Sequence, residues 1–297
     1  MTRTIIPIIF FALILSGCRH SQNTNVDLTS AEQKEIRPDS ISGYANVNSL
    51  KMYYEIHGKG NPLVLIHGGG STIQTSFGRI IPELRKHRQI IAVELQGHGH
   101  TPDIHTPESF QQDADDVAAL VKYLKIEKAD FFGFSNGGNT TMQIAIRHPD
   151  VVRKIIVGSA FYHRDGMIEG FWDFMKEASF KDMPQPLKEA YMKVAPDTSD
   201  LIHMFEKDKN RMVQFTDWKA EDVHSIKSPA LIISGNEDVV RPEHAVDMYR
   251  LLPHGQLIIL PGTHGEYIGE IATKQDNHFI AATVAMIEKF LDEPMPE

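Results

Sequence analysis

Residues 133–137 read Gly133-Phe134-Ser135-Asn136-Gly137 and have the form G-x-S-x-G. The motif follows the apolar run 129–132 (ADFF) and precedes a segment with helical spacing at 139–147, which places it at a turn from a strand into a helix. Such a turn is very tight, and small residues are needed two positions before and after the serine because a larger side chain would strike neighbouring backbone. We therefore expect the Ser135 hydroxyl to project from the carboxyl end of a strand, with the Asn136 N–H aimed into the same space.

Short apolar runs alternate with amphipathic segments along most of the chain. The apolar runs are predicted strands: Leu63–Ile66, Gln89–Val93, Ala129–Gly133, Arg153–Val157, Ala230–Ser234 and Gln256–Leu260. The amphipathic segments are predicted helices: Ser109–Leu124, Asn139–Arg147, Pro242–Leu252 and Phe279–Leu291. This alternation favours a parallel sheet covered by helices on both faces. Residues 50–57 (LKMYYEIH) alternate instead and are expected to start an antiparallel edge hairpin.

One long segment, residues 161–227, interrupts this rhythm because it contains no strand-like run. It holds helical pieces at 167–180, 186–194 and 199–215, and we expect it to cover one end of the sheet as a cap. Four bulky side chains lie together on one predicted cap helix: Phe171, Trp172, Phe174 and Met175. Two interpretations stay open for them, a core within the cap or the wall of a substrate pocket.

Three further loops, each directly after a predicted strand, carry residues with useful chemistry. They are His67-Gly68-Gly69-Gly70, Gly235-Asn236-Glu237-Asp238 and Gly262-Thr263-His264-Gly265. The carboxyl ends of parallel strands meet at one edge of a sheet, where open α/β sheets bind their ligands. Serine, an acid and histidine are the groups of an activated nucleophile.

In this order and context the chain resembles the α/β-hydrolase superfamily, from about Leu50 to Leu291. Members of that superfamily carry their oxyanion loop, nucleophile, acid and base in this sequence order. The resemblance implies an α/β fold with a mostly parallel central sheet, helices on both faces and a helical cap insertion. It divides the chain into a core of residues 44–160 and 228–297 and a cap of residues 161–227.

The resemblance also implies a role for each candidate residue. Ser135 would be the nucleophile, His264 the general base and Asp238 the acid that orients the imidazole, with Glu237 as the competitor for the acid. The backbone N–H groups of Gly69 and Asn136 would form the oxyanion hole.

The implied activity is hydrolysis of a carboxylic ester or similar acyl bond of a small molecule through an acyl-enzyme. We choose a carboxylesterase-like serine hydrolase on prior frequency, with an enol-lactonase or a carbon–carbon bond hydrolase as the alternative on the same site. Serine at the nucleophile position argues against family members that use aspartate there. A non-catalytic binding lipoprotein is the alternative from another class, and the complete serine, acid and histidine set argues against it.

Composition excludes several other functions. The chain of 297 residues has 30 Lys+Arg against 39 Asp+Glu, a net charge of −9, and no long basic cluster, so no nucleic-acid partner is expected. The single cysteine excludes a disulfide framework and a cysteine-based zinc site. We find no metal, phosphate-loop or dinucleotide motif, and therefore expect no metal and no cofactor. Oligomeric state cannot be read from the sequence.

The N-terminus has the pattern of a targeting segment. Arg3 precedes an apolar run at residues 5–15, too short to cross a bilayer, which ends at Leu15-Ser16-Gly17-Cys18. This resembles the lipobox of bacterial lipoproteins. It implies a signal peptide at residues 1–17, lipidation of Cys18, and a polar tether over residues 18–43. We thus expect a lipid-anchored protein of the bacterial cell envelope, and Arg19 favours the outer membrane over the inner.

Overall fold

A computed structural model describes residues 40–195, 197–274 and 276–296. A single eight-stranded sheet runs through this part of the chain, in the order β1-β2-β4-β3-β5-β6-β7-β8. The strands are β1 (Ser40–Val47), β2 (Leu50–His57), β3 (Asn61–Ile66), β4 (Arg88–Val93), β5 (Ala129–Phe134), β6 (Val152–Gly158), β7 (Ala230–Gly235) and β8 (Gly255–Leu260). Strands β3 to β8 pair in parallel, whereas β2 is antiparallel to both of its neighbours.

The antiparallel edge begins earlier than the predicted boundary at residue 44. Strand β1 starts at Ser40 and pairs along its whole length with β2, from Ser40 opposite His57 to Val47 opposite Leu50. The two-residue turn Asn48-Ser49 has positive φ at both positions, the geometry that suits a tight hairpin. Residues 40–43, predicted as the end of the tether, therefore belong to the sheet.

Ten α-helices accompany these strands within the described residues. They are α1 (Ile73–Phe77), α2 (Ile81–Leu84), α3 (Phe110–Tyr123), α4 (Asn136–Arg147), α5 (Phe171–Glu177), α6 (Gln185–Val194), α7 (Thr198–Val213), α8 (Ala220–His224), α9 (Pro242–Leu251) and α10 (Asn277–Asp292). Short 3-10 turns lie at Pro149–Val151, Arg164–Gly166, Phe180–Asp182 and Glu266–Ile268.

Two apolar cores lie on opposite faces of the sheet. Side chains alternate along a strand, so Val64 and Ile66 of β3 pack in one core while Leu63 and Leu65 pack in the other. Buried residues of α3, α4, α8 and α9 complete the first core, and those of α1, α2 and α10 complete the second. This is the α/β architecture that the sequence predicts, with helices on both faces of a mostly parallel sheet.

The interruption between β6 and β7 is helical, as expected. Helices α5, α6 and α7 occupy it, and their apolar residues form two small clusters of their own, one around Phe161, Met212 and Phe215 and the other around Met183, Leu187 and Met204. Helix α8 lies within the predicted cap of residues 161–227, but its Val223 packs in the core of the sheet. We therefore use the word cap for residues 161–215 only.

Within the described residues, no helix has both the length and the apolar character needed to cross a membrane. The predicted signal peptide, Cys18 and residues 18–39 of the predicted tether lie outside the described residues. Lipidation at Cys18 and the location in the cell envelope therefore stay predictions from the sequence.

Candidate active site

Ser135 lies between the end of β5 and the first residue of α4, at φ 54° and ψ −122°. A side chain other than glycine seldom adopts a positive φ, so the turn holds Ser135 in a strained conformation. The flanking glycines make this turn possible. A Cβ on Gly133 would lie 1.9 Å from Gly137 O, and one on Gly137 would lie 2.1 Å from Ile66 O. The steric reason given for the G-x-S-x-G spacing therefore holds here.

Asp238 and His264 form a close pair at the ends of β7 and β8. The distance between His264 Nδ1 and Asp238 Oδ1 is 2.6 Å. Asp238 is buried, and the Val240 N–H also donates to Oδ1 while the Ser159 hydroxyl donates to Oδ2. Of the two acids that compete for this role, Asp238 and Glu237, it is the predicted one, Asp238, whose carboxylate contacts the histidine.

The surroundings of this pair keep the carboxylate ionised. Burial raises the pKa of Asp238, but the charge and hydrogen bond of His264, with the Ser159 and Val240 donors, outweigh it and lower that pKa to about 2. Burial in turn lowers the pKa of His264, and the Asp238 carboxylate outweighs burial and raises it above the ordinary value. An oriented imidazole with increased basicity can act as a general base.

The histidine lies beside the serine turn. The rings of His264 and Phe134, the residue before Ser135, have centroids 4.7 Å apart. A Cβ on Gly265 would lie 2.6 Å from Phe134 Cζ, so the two loops are in close contact. Among the described side chains, the Ser135 hydroxyl has no hydrogen-bond partner. Links between nucleophile and base often tighten only when substrate binds.

Two backbone N–H groups at this end of the sheet are free to bind an anion. Neither the Gly69 N–H nor the Asn136 N–H donates a hydrogen bond to a group that the structure describes, whereas Gly68 N donates to Ser76 Oγ. Asn136 is the first residue of α4, where the partial positive charge of a helix start lies. The two candidate oxyanion donors are thus available.

A cavity of about 240 Å³ connects these groups with the cap. On the core side Gly69, Gly70, Ser135 and Asn136 line it. The apolar cap residues that line it are Phe171, Phe174, Met175, Ala178, Met183, Pro184, Leu187, Phe205 and Met212. Asp182, Asp208 and Lys209 add charged groups to the wall.

The cap aromatics divide between the two interpretations that the sequence left open. Trp172 packs in the cap cluster and donates its indole N–H to Arg164 O. Phe171 and Met175 contact that cluster and also line the cavity, whereas Phe174 lines the cavity and is 55% exposed.

Sequence reasoning missed several residues around the site. Ser159, at φ 51°, donates to Asp238 and also contacts the Tyr267 hydroxyl at 3.0 Å. Asp208 of α7 accepts a hydrogen bond from the Gly70 N–H. Ser159 lies two residues after the predicted strand Arg153–Val157, a position that could have marked it, but no motif marks Asp208.

One group of potential metal ligands lies elsewhere in the described chain. Ligand atoms of Asp103, His105 and His203 all lie within 4.8 Å of one another. Lys207 Nζ already contacts Asp103 Oδ1, and its positive charge opposes a cation at this position. The group is also separate from the cavity beside Ser135.

Comparison with known proteins identifies the fold. A family model described as alpha/beta hydrolase fold matches residues 61–183. Among solved structures, the chain is similar to the enol-lactonase from Burkholderia xenovorans LB400, with a TM-score of 0.63 and 23% identity, over 84% of this chain and 100% of that one. The chain has the α/β-hydrolase fold.

Curated relatives cover most of the described chain. A 2-hydroxy-6-oxo-2,4-heptadienoate hydrolase of Pseudomonas putida is 28% identical over 236 residues, which are 71% of this chain and 84% of the relative. The human protein named serine hydrolase BPHL is 28% identical over 239 residues, 75% of this chain and 79% of the relative. These comparisons support a hydrolase. They give no support to a simple carboxylic ester as the bond cleaved.

Proposed function

We propose that the chain is a serine hydrolase that cleaves a small substrate through an acyl-enzyme on Ser135. One observation carries the proposal: Ser135 and the free N–H groups of Gly69 and Asn136 border one capped, largely apolar cavity, and the hydrogen-bonded pair Asp238 and His264 lies against Phe134, the residue before Ser135. A binding protein has no need for these groups to meet at one place.

The proposed chemistry starts with attack of Ser135 Oγ on a carbonyl carbon while its proton passes to His264 Nε2. The N–H groups of Gly69 and Asn136 stabilise the oxyanion, and one such donor typically contributes about 10²–10³ in rate. His264 then returns the proton to the leaving group as its bond to the carbonyl carbon breaks. A water molecule, deprotonated by His264, releases the acyl group and restores Ser135.

We infer that the bond cleaved is the acyl bond of an enol lactone or a carbon–carbon bond beside a ketone. The relative from Pseudomonas putida is named for an oxo-dienoate, a compound without an ester or amide, so its hydrolysis requires cleavage of a carbon–carbon bond. The structural neighbour is an enol-lactonase. In the dienoate, the 2-enol first tautomerises to the ketone by moving its proton to C5. Each bond then joins a carbonyl carbon to a group that departs as an enolate, and the same serine and oxyanion donors serve both.

A panel of three substrates tests this inference on the purified protein: 2-hydroxy-6-oxo-2,4-heptadienoate, a five-membered enol lactone and p-nitrophenyl acetate. We expect kcat/KM for one of the first two to exceed that for the ester by at least about tenfold, or about 1.4 kcal/mol in transition-state stabilisation. The matched controls are Ser135→Ala, which should abolish turnover, and Ser225→Ala, an exposed serine whose loss should not.

The contrary results are equally distinct. Preference for the simple ester would return the assignment to a carboxylesterase. Absence of turnover on every substrate, with a folded protein that fluorophosphonates do not label, would favour the binding protein.

A further inference from the structure

Asp208 extends from cap helix α7 to the loop Gly68–Gly70 of the core, which carries the candidate oxyanion donor Gly69. Its Oδ2 accepts a hydrogen bond from the Gly70 N–H and lies 3.0 Å from His98 Nε2. Its Oδ1 accepts a hydrogen bond from Arg211 and lies 3.5 Å from the Asn136 amide nitrogen Nδ2. The residue is buried, with 8% of its surface exposed. One carboxylate therefore contacts both segments that carry the candidate oxyanion donors.

Asp208 also lies close to the candidate oxyanion donor Gly69. A Cβ on Gly69 would lie 2.5 Å from Asn136 Nδ2 and 3.3 Å from Asp208 Oδ2, so the loop, the Asn136 side chain and the carboxylate pack tightly. Gly70 has a φ of +65°. Glycine adopts such an angle without steric strain but is not held there by its own side chain. An acceptor on the Gly70 N–H therefore restricts the peptide that follows Gly69.

Two cations balance the negative charge of Asp208. His98 Nδ1 lies 2.8 Å from Gln96 O, which can only accept, and its Nε2 faces the carboxylate, so both ring nitrogens donate and the imidazole is charged. Burial lowers the pKa of His98, but Asp208 outweighs burial and raises it to about 9. The Arg211 guanidinium is the second cation and also donates to Asp113. With this compensation, the carboxylate can lie near a developing oxyanion without opposing it.

Two buried carboxylates besides Asp208 belong to this cluster: Asp113, which accepts a hydrogen bond from Arg211, and Glu108. Glu108 Oε2 lies 3.8 Å from Arg211 Nη2, and burial raises the pKa of Glu108. On the other side, His67 is held neutral: Leu95 N–H donates to its Nε2, and burial lowers its pKa to about 3. The cations that contact Asp208 are therefore those of His98 and Arg211.

We propose that Asp208 is a positioning residue of the oxyanion site, a cap carboxylate that holds the Gly68–Gly70 loop and Asn136 in the geometry that binds an oxyanion. The site is then complete only when α7 is in place on the core. This inference rests on the proposed function, because an oxyanion site requires acyl chemistry at Ser135.

Inactivation by a fluorophosphonate tests it, since the phosphonyl oxygen enters the same oxyanion site. The rate constant kinact and the binding constant KI are measured for the full-length protein, Asp208→Asn and Asp103→Asn. The control Asp103→Asn removes another contact between cap and core, the ion pair with Lys207, without touching the loop. We expect Asp208→Asn to lower kinact by about 10- to 100-fold. This is at most the rate loss of about 10²–10³ that follows removal of one oxyanion donor. KI should change little, and Asp103→Asn should leave both constants near those of the wild type.

An unchanged kinact in folded Asp208→Asn would overturn the inference, as would an equal loss in Asp103→Asn. If circular dichroism shows that Asp208→Asn does not fold, His98→Gln replaces it. That variant keeps a neutral donor but removes the compensating charge, and it should lower kinact by about 3- to 10-fold. An unchanged kinact there would also overturn the inference. Failure of the wild type itself to react at Ser135 would instead refute the proposed function.

Discussion

His264 Nδ1 lies 2.6 Å from Asp238 Oδ1, and the two residues come from loops after adjacent strands, β7 and β8. The neighbouring parallel strands bring the two loops together at one edge of the sheet. The Asp238 oxygen fixes which nitrogen of the imidazole carries the proton, so Nε2 is the nitrogen left to accept one from Ser135.

This pairing predicts the pH dependence of turnover. Only neutral His264 can accept the Ser135 proton, and the Asp238 carboxylate raises the pKa of His264 above 6.5, so kcat/KM should rise with pH along a limb centred above 6.5. Asp238→Asn removes the charge and should move that limb to lower pH while lowering kcat by about 10³–10⁴. The matched control is Asp247→Asn, an exposed carboxylate that pairs with Arg250. A limb at the same pH in Asp238→Asn would show that this pair does not control the titration.

Ser159 should affect catalysis through Asp238. Its hydroxyl donates to Asp238 Oδ2 at 2.5 Å and contacts the buried Tyr267 hydroxyl. Ser159→Ala removes the partner of the Tyr267 hydroxyl and should lower the free energy of unfolding by about 1–3 kcal/mol. It should also lower kcat/KM about three- to tenfold, because Asp238 keeps its other donors. Ser225→Ala, on an exposed helix end, should change neither quantity, and equal effects in the two variants would contradict the assignment.

The tight turn around Ser135 predicts a large steric effect at Gly133. A Cβ there would lie 1.9 Å from backbone, at Gly137 O, which no side-chain movement relieves. Gly133→Ala should therefore destabilise the fold by about 3 kcal/mol or more. At Gly170, no atom of the described residues lies within 4 Å of the added Cβ. The φ of +78° still opposes alanine, so Gly170→Ala should cost about 1 kcal/mol. Chemical denaturation measures both, and similar losses would refute the steric explanation.

Lys154 should stabilise the C-terminal helix from inside the protein. Its Nζ donates to the backbone carbonyls of Phe290, Leu291 and Glu293, where α10 ends. Positive charge at a helix end is favourable, and Lys154 adds a charged donor to carbonyls of which Phe290 O also accepts from Glu293 N–H and Leu291 O from Arg153. Lys154→Met should lower the free energy of unfolding by about 2–4 kcal/mol. Exposed Lys128→Met should change it by less than about 0.5 kcal/mol, and an equally small effect at Lys154 would contradict this role.

The anchor prediction rests on the N-terminal sequence alone. Cys18 should incorporate an alkynyl fatty acid in bacterial cells, and the wild-type protein should sediment with membranes. Cys18→Ser should lose both properties, because a single sulfur carries the predicted lipid. Incorporation of the label into Cys18→Ser would contradict the prediction.

The strands were largely predictable because buried parallel strands leave continuous apolar runs in the sequence. Strand β7 spans Ala230–Gly235 where Ala230–Ser234 was predicted, and α3 begins directly after its capping residue Ser109. Strand β1 escaped prediction because it lies at the edge of the sheet, and only Ala45 and Val47 of its residues are buried. Helix α4 begins at Asn136, directly after the serine turn, and not at the predicted Asn139. The first turn contains Gly137 and Gly138, whose poor helix propensity hides it in the sequence.

The candidate site was predictable where one loop carries one motif, and unpredictable where distant segments meet. Ser135, Asp238 and His264 follow strands in an order that the fold explains. Asp208 and Arg211 have the spacing of an ordinary surface ion pair on a helix, and nothing in the sequence places Gly70, 138 residues away, against Asp208. The contact between Asp208 and Gly70 depends on how the cap packs on the core, which the local pattern of apolar residues does not predict.

The most direct test of the central claim is the mass of the protein after reaction with a fluorophosphonate. The wild type should gain one adduct, located on Ser135 by peptide mapping, and Ser135→Ala should gain none, while Ser225→Ala should react like the wild type. An unmodified wild type, or an adduct of equal yield in Ser135→Ala, would contradict the claim that Ser135 is an activated nucleophile.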